Sequence, residues 1–491
     1  MMLRFYVGNQ SRAQFTHSSY HLLEAAALWL IISSAISMAN SAPNVVVLLA
    51  DDLGYGDLGC YGHRHINTPH LDQLAEQSLR FTACYSAAPM CSPARAGLLT
   101  GRSPHRMGIY DWIAHDGTSK IHLQSKEITF AQLMQQAGYQ TALHGKWHLN
   151  SEFNTDTQPQ PDDHGFDYWY ATQFSPSHLN PTGFVRNGES LPPQQGYACQ
   201  VVVDDAIDWI REARDPAHPF LQFIAFHEPH HPVASPPELV ARYLSTATEN
   251  EKEAIYFANV ENLDLAIGRY LSALEDLGLA QNTLLIFTSD HGPQTRGPGV
   301  FRHSYGSAGP FRGRKRQLWE GGLRVPLLIR WPAQIRGARV IEPAVGFVDV
   351  LPTLANHCDF ETPTDRAIDG CDISPLLKNG ALDRQAPLHW HFYSPLTGPQ
   401  STIRVGPWVL TASWDVGAKP FAKGTRHIPK FEHLIHQSQL RDFQLYDVEN
   451  DPHQDQDVSG QRPDVVARLS SQLIELHAAV RDEAPHWNIA Q

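Results

Sequence analysis

Three short, almost uniformly apolar runs limit the fold of this chain more than any other feature. They are residues 44–50, 220–226 and 283–288, and a weaker fourth run covers residues 325–329. Runs of this length are typical of strands that helices cover on both faces of a sheet. Helical patterns lie between them, beginning at Thr68-Pro69, after Thr129 and at Glu251. The alternation predicts an α/β fold around a largely parallel sheet.

Reactive side chains follow the first three of these runs and also a weaker apolar stretch after Tyr139. In chain order these groups are Asp51-Asp52, residues 144–148, residues 227–231 and Asp290-His291. Ligands bind beyond the carboxyl ends of the strands in an open parallel sheet. The pattern therefore predicts one functional site at that edge of the sheet.

The carboxylates at this edge indicate a hard cation. Asp51 and Asp52 could merely cap the turn before Gly54, since aspartate is common in turns. Adjacent carboxylates beside a buried strand repel each other, however, and a cation such as Ca²⁺ would relieve that repulsion. Asp290 could complete the oxygen shell, whereas the nitrogen of His291 is a poor calcium ligand by hardness alone.

Residues 91–102 place a cysteine, a proline and an arginine at the start of a short helical pattern. Pro93 suits the first position of a helix, so Cys91 would lie just before the N-terminus, where free N–H groups favour an anion. Arg95 lies one turn further on, and its forked donors suit phosphate or sulfate oxygens. The segment indicates a nucleophile beside an anion site, and a buried cysteine with an exposed arginine is the alternative.

Two other patterns do not predict a zinc site. Residues 227–231 match H-E-x-x-H, which needs both histidines on one face of a helix, but Pro229 and Pro232 exclude a regular helix. The six cysteines include no C-x-x-C pair. Cys358 and Cys371 bracket a short loop and could form a disulfide in an oxidising compartment, and the sequence leaves their pairing open.

Charge and the N-terminus bound the partners and the compartment. The formal net charge is −13 and no basic stripe occurs, so we expect no nucleic-acid binding. Arg4 and Arg12 precede an apolar stretch at residues 25–36, and small residues follow up to Ala42. This layout predicts a signal peptide over residues 1–42, with an uncleaved anchor as the alternative. We therefore expect export to the periplasm or the medium, without stable membrane insertion after cleavage.

Residues 91–102, read C-S-P-A-R-A-G-L-L-T-G-R, resemble the signature of the type I, formylglycine-dependent sulfatases of the alkaline phosphatase-like superfamily. Further segments resemble motifs of that family in the same order. They are the paired aspartates at residues 51–52, G-K-W-H-L at residues 145–149, P-H-H-P at residues 229–232, S-D-H-G at residues 289–292, K-x4-E-G-G-x-R-x-P at residues 315–326 and the L-Y-D turn at residues 445–452. The resemblance covers nearly all of the chain after the predicted leader.

The resemblance implies a chemical role for each matching residue. A maturation enzyme would oxidise Cys91 to formylglycine, whose hydrated aldehyde attacks sulfur with one hydroxyl and expels sulfate with the other. One Ca²⁺ or Mg²⁺ ion would be held by Asp51, Asp52, Cys91, Asp290 and His291. The sulfate would be surrounded by Arg95, Lys146 and Lys315, with His148 as the base and His230 as the proton donor to the leaving alcohol. Asn150 stands where the family often has glycine, a departure outside the reacting atoms.

The resemblance also implies the architecture and the reaction. We expect an alkaline phosphatase-like mixed, largely parallel sheet flanked by helices over residues 43–380, and an α+β subdomain with an antiparallel sheet over residues 381–491. The reaction would be hydrolysis of a sulfate monoester on a sulfated saccharide, of galactose or N-acetylgalactosamine type. Candidate sugar contacts are Trp112, His164, Arg302 and His303.

Two alternatives stay open. A phosphatase or phosphonate hydrolase could use the same fold, although a two-metal phosphatase needs more carboxylate and histidine ligands than this chain offers. A non-catalytic protein that binds sulfated glycans could keep Cys91 unmodified, although such a protein has no need of His148.

Overall fold

The strands of the computed structural model form two sheets. The model describes residues 42–487 except residues 116, 118, 297–303, 394–395 and 417–431, so the leader before Ala42, Arg302 and His303 lie outside the described residues. The strands are β1 Asn44–Asp51, β2 Leu79–Tyr85, β3 Gln140–Lys146, β4 Tyr168–Thr172, β5 Val185–Arg186, β6 Glu189–Ser190, β7 Phe220–Pro229, β8 Thr283–Ser289, β9 Arg324–Arg330, β10 Arg339–Ile341, β11 Val345–Gly346, β12 Leu388–Phe392, β13 Gln400–Val405, β14 Trp408–Asp415 and β15 Gln439–Asp447.

Helices alternate with the strands along most of the chain. The helices are α1 Pro69–Ala75, α2 Cys91–Thr100, α3 Phe130–Gln136, α4 Ala198–Asp208, α5 Pro237–Tyr243, α6 Glu251–Asp276, α7 Glu320–Leu323, α8 Val350–His357, α9 Ser374–Leu377, α10 Glu432–Gln437 and α11 Pro463–Glu483. A π-helical turn, Trp209–Ala213, extends α4. Short 3₁₀ turns occur at Tyr55–Asp57, Gly59–Tyr61, Pro104–Met107, Asp162–His164, Ala280–Asn282, Phe347–Asp349 and Ser459–Gln461.

The large sheet is parallel in the middle and has antiparallel pairs on both sides. Its eleven strands follow the order β10-β2-β9-β8-β1-β7-β3-β4-β5-β6, with β11 paired to β2. Strands β8, β1, β7 and β3 run parallel to one another, whereas β9 runs antiparallel to both β8 and β2. The four parallel strands therefore bring their carboxyl ends, and the side chains that follow them, to one edge. This mixed sheet confirms the predicted fold class.

Burial on both faces explains why β1 is apolar at almost every position. Val45, Val47 and Leu49 belong to the hydrophobic core on one face, and Val46 and Leu48 belong to the core on the other. Successive side chains of a strand point to opposite faces, so a strand covered on both sides needs apolar residues throughout. The same reason accounts for β7 and β8, every residue of which is buried.

Side-chain caps fix where the helices begin. At α3, the Thr129 hydroxyl accepts from the Gln132 backbone N–H, and the Gln132 side chain accepts from the Thr129 N–H in return. This capping box satisfies two backbone donors that have no partner within the helix. Asn250 caps α6 through the backbone N–H of Lys252. Both helices begin where the sequence predicts.

The smaller sheet has its own core. Strands β12 to β15 pair antiparallel in sequence order, as the C-terminal pattern predicts. Leu473 and Leu469 of α11 pack on Ile403, Leu410 and Leu445 of this sheet. No helix in the described part of the chain is long and apolar enough to cross a bilayer.

The start of α2 corrects a sequence expectation, whereas the pairing of Cys358 and Cys371 is a question that the sequence leaves open. Helix α2 begins at Cys91, with Met90 as its N-cap, so Pro93 is the third helical residue and not the first. Proline is tolerated there because the first four N–H groups of a helix have no intrahelical acceptor. Cys358 and Cys371 are free thiols in this structure, so it contains no disulfide between them.

Candidate active site

The side chains that follow the parallel strands surround Cys91. The Cys91 Sγ lies 3.3 Å from His291 Nε2, 3.4 Å from Lys315 Nζ and 3.8 Å from Asp51 Oδ1. Asp51 ends β1 and His291 follows β8, while Cys91 opens α2. The edge of the sheet and one helix N-terminus thus converge on one sulfur atom.

Buried cations face the carboxylates of this edge. Lys146 Nζ donates to Asp51 Oδ2 at 2.6 Å, and Lys315 Nζ donates to Asp52 Oδ1 at 2.6 Å. None of these four side chains is more than 2% exposed. Removing one partner of a buried ion pair leaves an uncompensated charge, so each lysine and its carboxylate depend on each other. Lys146 ends β3, and Lys315 lies in the segment before α7.

Arg95 has a different environment from the one its motif implies. Its Nη1 donates to the Lys146 carbonyl at 2.9 Å, and its Nη2 donates to Asp290 Oδ2 at 3.3 Å. The side chain is 1% exposed. Arg95 therefore binds the Lys146 backbone and the Asp290 carboxylate inside the protein and does not project toward solvent.

The backbone is held in unusual conformations at two of these positions. Asp52 has a φ of 66° and His148 has a φ of 60°, in the left-handed region that non-glycine residues seldom adopt. Such conformations cost about 1–3 kcal/mol each and persist only when the surrounding structure holds them. Asp52 is held by its N–H, which donates to Asp290 Oδ1 at 3.1 Å.

The charges around Cys91 favour its thiolate. Burial alone would raise the pKa of this thiol, but Lys146 and Lys315 outweigh it and lower the pKa to about 6. The thiolate is the reactive form of cysteine, and a neighbouring cation is one of the features that activate it. Cys91 is therefore a chemically distinct cysteine, unlike Cys84, whose pKa burial raises well above the usual value.

His148 has a free ring nitrogen at neutral pH. Its Nε2 lies 3.0 Å from the Ile113 carbonyl, which can only accept, so Nε2 carries the proton and Nδ1 has the lone pair. Nδ1 is buried and makes no hydrogen bond. Burial, with Lys146 and Arg95 nearby, lowers the pKa of His148 well below its usual value. The imidazole is therefore neutral and can accept a proton at Nδ1.

His230 lies on the exposed side of the cluster. Its side chain is 19% exposed, and its Nε2 lies 3.7 Å from Asp52 Oδ2. The other ring nitrogen, Nδ1, lies 2.6 Å from the His231 carbonyl. Among the residues named at this site, His230 is thus the one best placed to meet an incoming molecule.

The donor set fits a divalent cation. Suitable atoms of Asp51, Cys91, Asp290 and His291 lie within 4.8 Å of one another. His291 Nδ1 lies 2.9 Å from the Gly292 carbonyl, which fixes the proton on Nδ1 and leaves Nε2 free to bind a metal. Asp52 Oδ2 is buried without a hydrogen-bond partner. Burial raises the pKa of Asp290 to about 7, because a charged carboxylate is costly away from water. A bound cation would offset that cost.

Several histidines near these motifs have structural roles. His144 faces away from the cluster and its Nδ1 lies 2.8 Å from Asp205 Oδ2. His227 is buried against the Thr172 hydroxyl, and residues 227–229 belong to β7, so the H-E-x-x-H match is not a helical zinc site. His164, expected as a sugar contact, is 1% exposed and its Nε2 lies 3.1 Å from the Leu123 carbonyl. That expectation is wrong, because the ring is packed inside the protein.

One contact of the site was missed by sequence reasoning. The Ser175 hydroxyl donates to Asp51 Oδ2 at 2.6 Å and is buried. Ser175 lies three residues beyond the end of β4, which is parallel to β3. Recognising β4 as a further parallel strand would have drawn attention to it, since its carboxyl end shares the same edge.

Comparison with known proteins gives a consistent result. A sulfatase family model matches residues 43–360. Steryl-sulfatase of Mus musculus is 34% identical over 438 residues, which cover 72% of this chain and 68% of the relative. N-acetylgalactosamine-6-sulfatase of Canis lupus familiaris is 32% identical over 415 residues, covering 79% and 76%. A crystal structure of Ps i-CgsB in complex with k-i-k-neocarrahexaose superposes with a TM-score of 0.76 at 23% identity, covering 91% and 94%.

The fold and the matches together define a sulfuric ester hydrolase of the alkaline phosphatase-like superfamily. Within that class the chain belongs to the sulfatase family, whose model covers most of the residues that form the large sheet.

Proposed function

We propose that this chain hydrolyses a sulfate monoester of a sulfated saccharide, of galactose or N-acetylgalactosamine type, through a formylglycine made from Cys91. The observation that carries the proposal is the position of Cys91 Sγ, 3.4 Å from Lys315 Nζ and 3.3 Å from His291 Nε2, within one buried polar cluster. A maturation enzyme would supply the oxidation of the thiol carbon to the aldehyde. The predicted leader over residues 1–42 would direct the product out of the cytoplasm.

In this proposal the chain has three parts: the leader, a catalytic domain and a C-terminal subdomain. After the leader, residues 43–380 would form the catalytic domain and residues 381–491 a C-terminal subdomain. The separate core beneath the antiparallel sheet supports this division.

The metal site would consist of Asp51, Asp52, Asp290, His291 and residue 91. Calcium suits the three carboxylates, and when bound it would withdraw charge from a sulfate oxygen and from the nucleophile. Arg95 donates to Asp290 and Lys146 donates to Asp51, and these contacts hold the two carboxylates in place. Through these contacts, the protein keeps the carboxylate oxygens close together.

Formylglycine would supply a hydrated aldehyde: one hydroxyl, ionised beside Lys146 and Lys315, would attack sulfur and displace the alcohol, and the other would expel sulfate as the aldehyde re-forms. Lys146 and Lys315, both beside residue 91, stabilise negative charge on the transferring sulfuryl oxygens. His230, at the exposed side, would donate a proton from its doubly protonated ring to the departing alcohol oxygen as its bond to sulfur breaks. His148 removes the proton of the second hydroxyl at Nδ1, which is unprotonated and buried.

An aromatic group beside this site supports a saccharide substrate. The Trp112 ring centroid lies 6.3 Å from that of His148, and His115 stacks on Phe174 at 3.8 Å. Phe174 is 40% exposed and directly precedes Ser175, which binds Asp51. Aromatic faces of this kind are apolar surfaces on which the C–H face of a sugar ring can pack. We propose Trp112 as a sugar contact, as the sequence predicts.

The test of this proposal is an assay of chain co-produced with a formylglycine-generating enzyme. We expect turnover of an aryl sulfate but not of the matching aryl phosphate, and faster turnover of sulfated galactose-type oligosaccharides than of a steryl sulfate. The Cys91→Ala variant is the control and should lose all turnover. Preferential hydrolysis of the phosphate would support the phosphatase alternative, and saccharide binding without any turnover would support the binding-protein alternative.

The role of Trp112 gives a second, finer test. Trp112→Ala should raise the KM for the sulfated oligosaccharide several-fold and change the kinetics with an aryl sulfate little, because only the larger substrate reaches the ring. Equal effects on both substrates would contradict a role in sugar binding.

A further inference from the structure

A second cluster of metal-binding side chains lies on the C-terminal part of the chain and shares no residue with the active site. Glu432 and His436 are four residues apart on α10, so their side chains lie on the same face of the helix. His486 comes from the segment after α11. The Glu432 Oε1 lies 3.4 Å from His436 Nε2 and 3.4 Å from His486 Nδ1.

These distances match the coordination shell of a small ion better than hydrogen bonds. Four ligands placed tetrahedrally at about 2.0–2.1 Å from zinc are about 3.3–3.4 Å from one another. A hydrogen bond from an imidazole to a carboxylate is shorter, typically about 2.8–3.0 Å. His436 Nε2 is buried and makes no hydrogen bond, although it points at the carboxylate.

We infer that Glu432, His436 and His486 form a binding site for a divalent transition-metal ion of the zinc type. All three ligand atoms lie within 4.8 Å of one another. Two imidazole nitrogens and one carboxylate oxygen suit zinc, whereas calcium and magnesium prefer oxygen alone. His486 is 72% exposed, so the fourth position of a tetrahedral ion faces solvent and takes a water molecule.

The ion ties the C-terminal segment to α10 and thereby to the body of the protein. The Trp487 backbone N–H donates to the same Glu432 oxygen at 2.9 Å. The Trp487 indole donates to the Gly108 carbonyl at 3.0 Å, and the ring is 8% exposed. Holding His486 therefore also holds Trp487 in its contact with Gly108. The site acts as a clamp and takes no part in sulfate hydrolysis.

The test is a zinc titration of the full chain by calorimetry, in excess calcium, with matched histidine variants. His436→Ala and His486→Ala should each bind one zinc ion fewer than the wild type. His433→Ala is the control, because His433 is exposed on the same short helix and lies outside the cluster. Every variant keeps Cys91 and His291, so zinc bound at the active site cancels from the comparison.

Thermal unfolding provides a readout that does not depend on counting ions. Zinc should raise the Tm of the wild type and of His433→Ala more than that of His436→Ala, since a ligand that binds only the folded state stabilises it. Cobalt in place of zinc should give the wild type an additional visible absorption of a four-coordinate ion that both His436→Ala and His486→Ala lack. The inference is wrong if the His436→Ala and His433→Ala variants bind the same number of zinc ions. A cluster that merely forms imidazolium–carboxylate ion pairs would give that result.

Discussion

At the scale of single residues, the active site depends on how neighbouring charges set each protonation state. Lys146 and Lys315 lower the pKa of Cys91, whereas burial, together with Lys146 and Arg95, lowers that of His148. Lys146 thus favours both a charged residue 91 and a neutral base. The free Nδ1 of His148 is the consequence on which the proposed release of sulfate depends.

His148→Ala tests that role. The variant should still attack the first substrate, because the groups around residue 91 that assist attack are intact, but it should release sulfate slowly. We expect a burst of one alcohol per active site followed by a steady rate about 10²–10⁴-fold below that of the wild type. Stopped-flow measurement with an aryl sulfate separates the two phases.

His218→Ala is the matched control for this experiment, since His218 is 54% exposed and its ring faces Asp215, which is not part of the cluster. It should keep the wild-type steady rate. Loss of the burst together with the steady rate in His148→Ala would contradict the assignment of His148 to the release step.

Most residues of the site could be predicted because they lie directly after strands that the sequence shows clearly. Asp51, Asp290 and His230 each follow an apolar run, so their meeting at one edge follows from parallel pairing. The position of the Arg95 side chain could not be predicted, because its partners come from β3 and from the segment after β8. The resemblance names the residue but does not give its contacts.

At the scale of elements, β3 shows how a local backbone requirement positions Lys146. Gly145 has a φ of 96°, and a Cβ added there would lie 1.9 Å from the Ala225 carbonyl oxygen of β7. Only glycine allows the two strands to approach this closely while Lys146 turns toward Asp51. The glycine of the G-K-W-H-L segment is therefore a packing requirement.

Comparing Gly145→Ala with Gly138→Ala separates two costs. Gly138 also has a positive φ, 87°, but an added Cβ there meets nothing within 4 Å, so this variant measures the conformational cost alone, about 1–2 kcal/mol. Gly145→Ala adds the clash with β7 and should lower the free energy of unfolding by more, with loss of activity. Urea denaturation measures both values. Equal values would show that the close approach of β3 and β7 is not a constraint.

The strands that could be predicted are those buried on both faces. β1, β7 and β8 read as apolar throughout, and the structure extends the predicted runs by one to three residues. Strands β5 and β6 have two residues each, too few for any period to be visible. β5 pairs with β4 and β6 pairs with β5, so both depend on an edge that a distant part of the chain provides.

At the scale of the whole molecule, buried histidines link the small sheet to the rest of the described chain. The His477 Nδ1 of α11 lies 3.2 Å from the Ser401 hydroxyl of β13, and the His391 Nδ1 of β12 lies 2.8 Å from the same oxygen. His105, which follows α2, has its ring centroid 5.8 Å from that of His391. Burial, together with Arg481, lowers the pKa of His477 to about 4, and burial lowers that of His105 to about 3.

Because burial lowers the pKa of these histidines, we expect the protein to lose stability in mild acid. An unfolded histidine takes up a proton below a pH of about 6.5, whereas folded His477 does so only near pH 4, so the unfolded state binds more protons in between. Between pH 6.5 and pH 4 the free energy of unfolding should therefore fall with pH, by about 3 kcal/mol from His477 alone. Denaturant unfolding across this range measures the slope.

His477→Gln removes the titrating group, so the free energy of unfolding of this variant should fall by about 3 kcal/mol less than that of the wild type between pH 6.5 and pH 4. His453→Gln is the control, since His453 is 53% exposed, and should leave the slope as in the wild type. A His477→Gln slope equal to that of the wild type would show that the histidine is not held neutral by burial.

The proposed mechanism depends on the chemical state of residue 91. Trypsin releases residues 81–95 as one peptide, because Arg80 precedes it and Arg95 ends it. Mass spectrometry of this peptide, from chain exported in the presence of a maturation enzyme, should show formylglycine in place of cysteine. Sulfatase activity across preparations should rise in proportion to the fraction converted. Full activity in chain whose residue 91 is entirely an unmodified thiol would contradict the account.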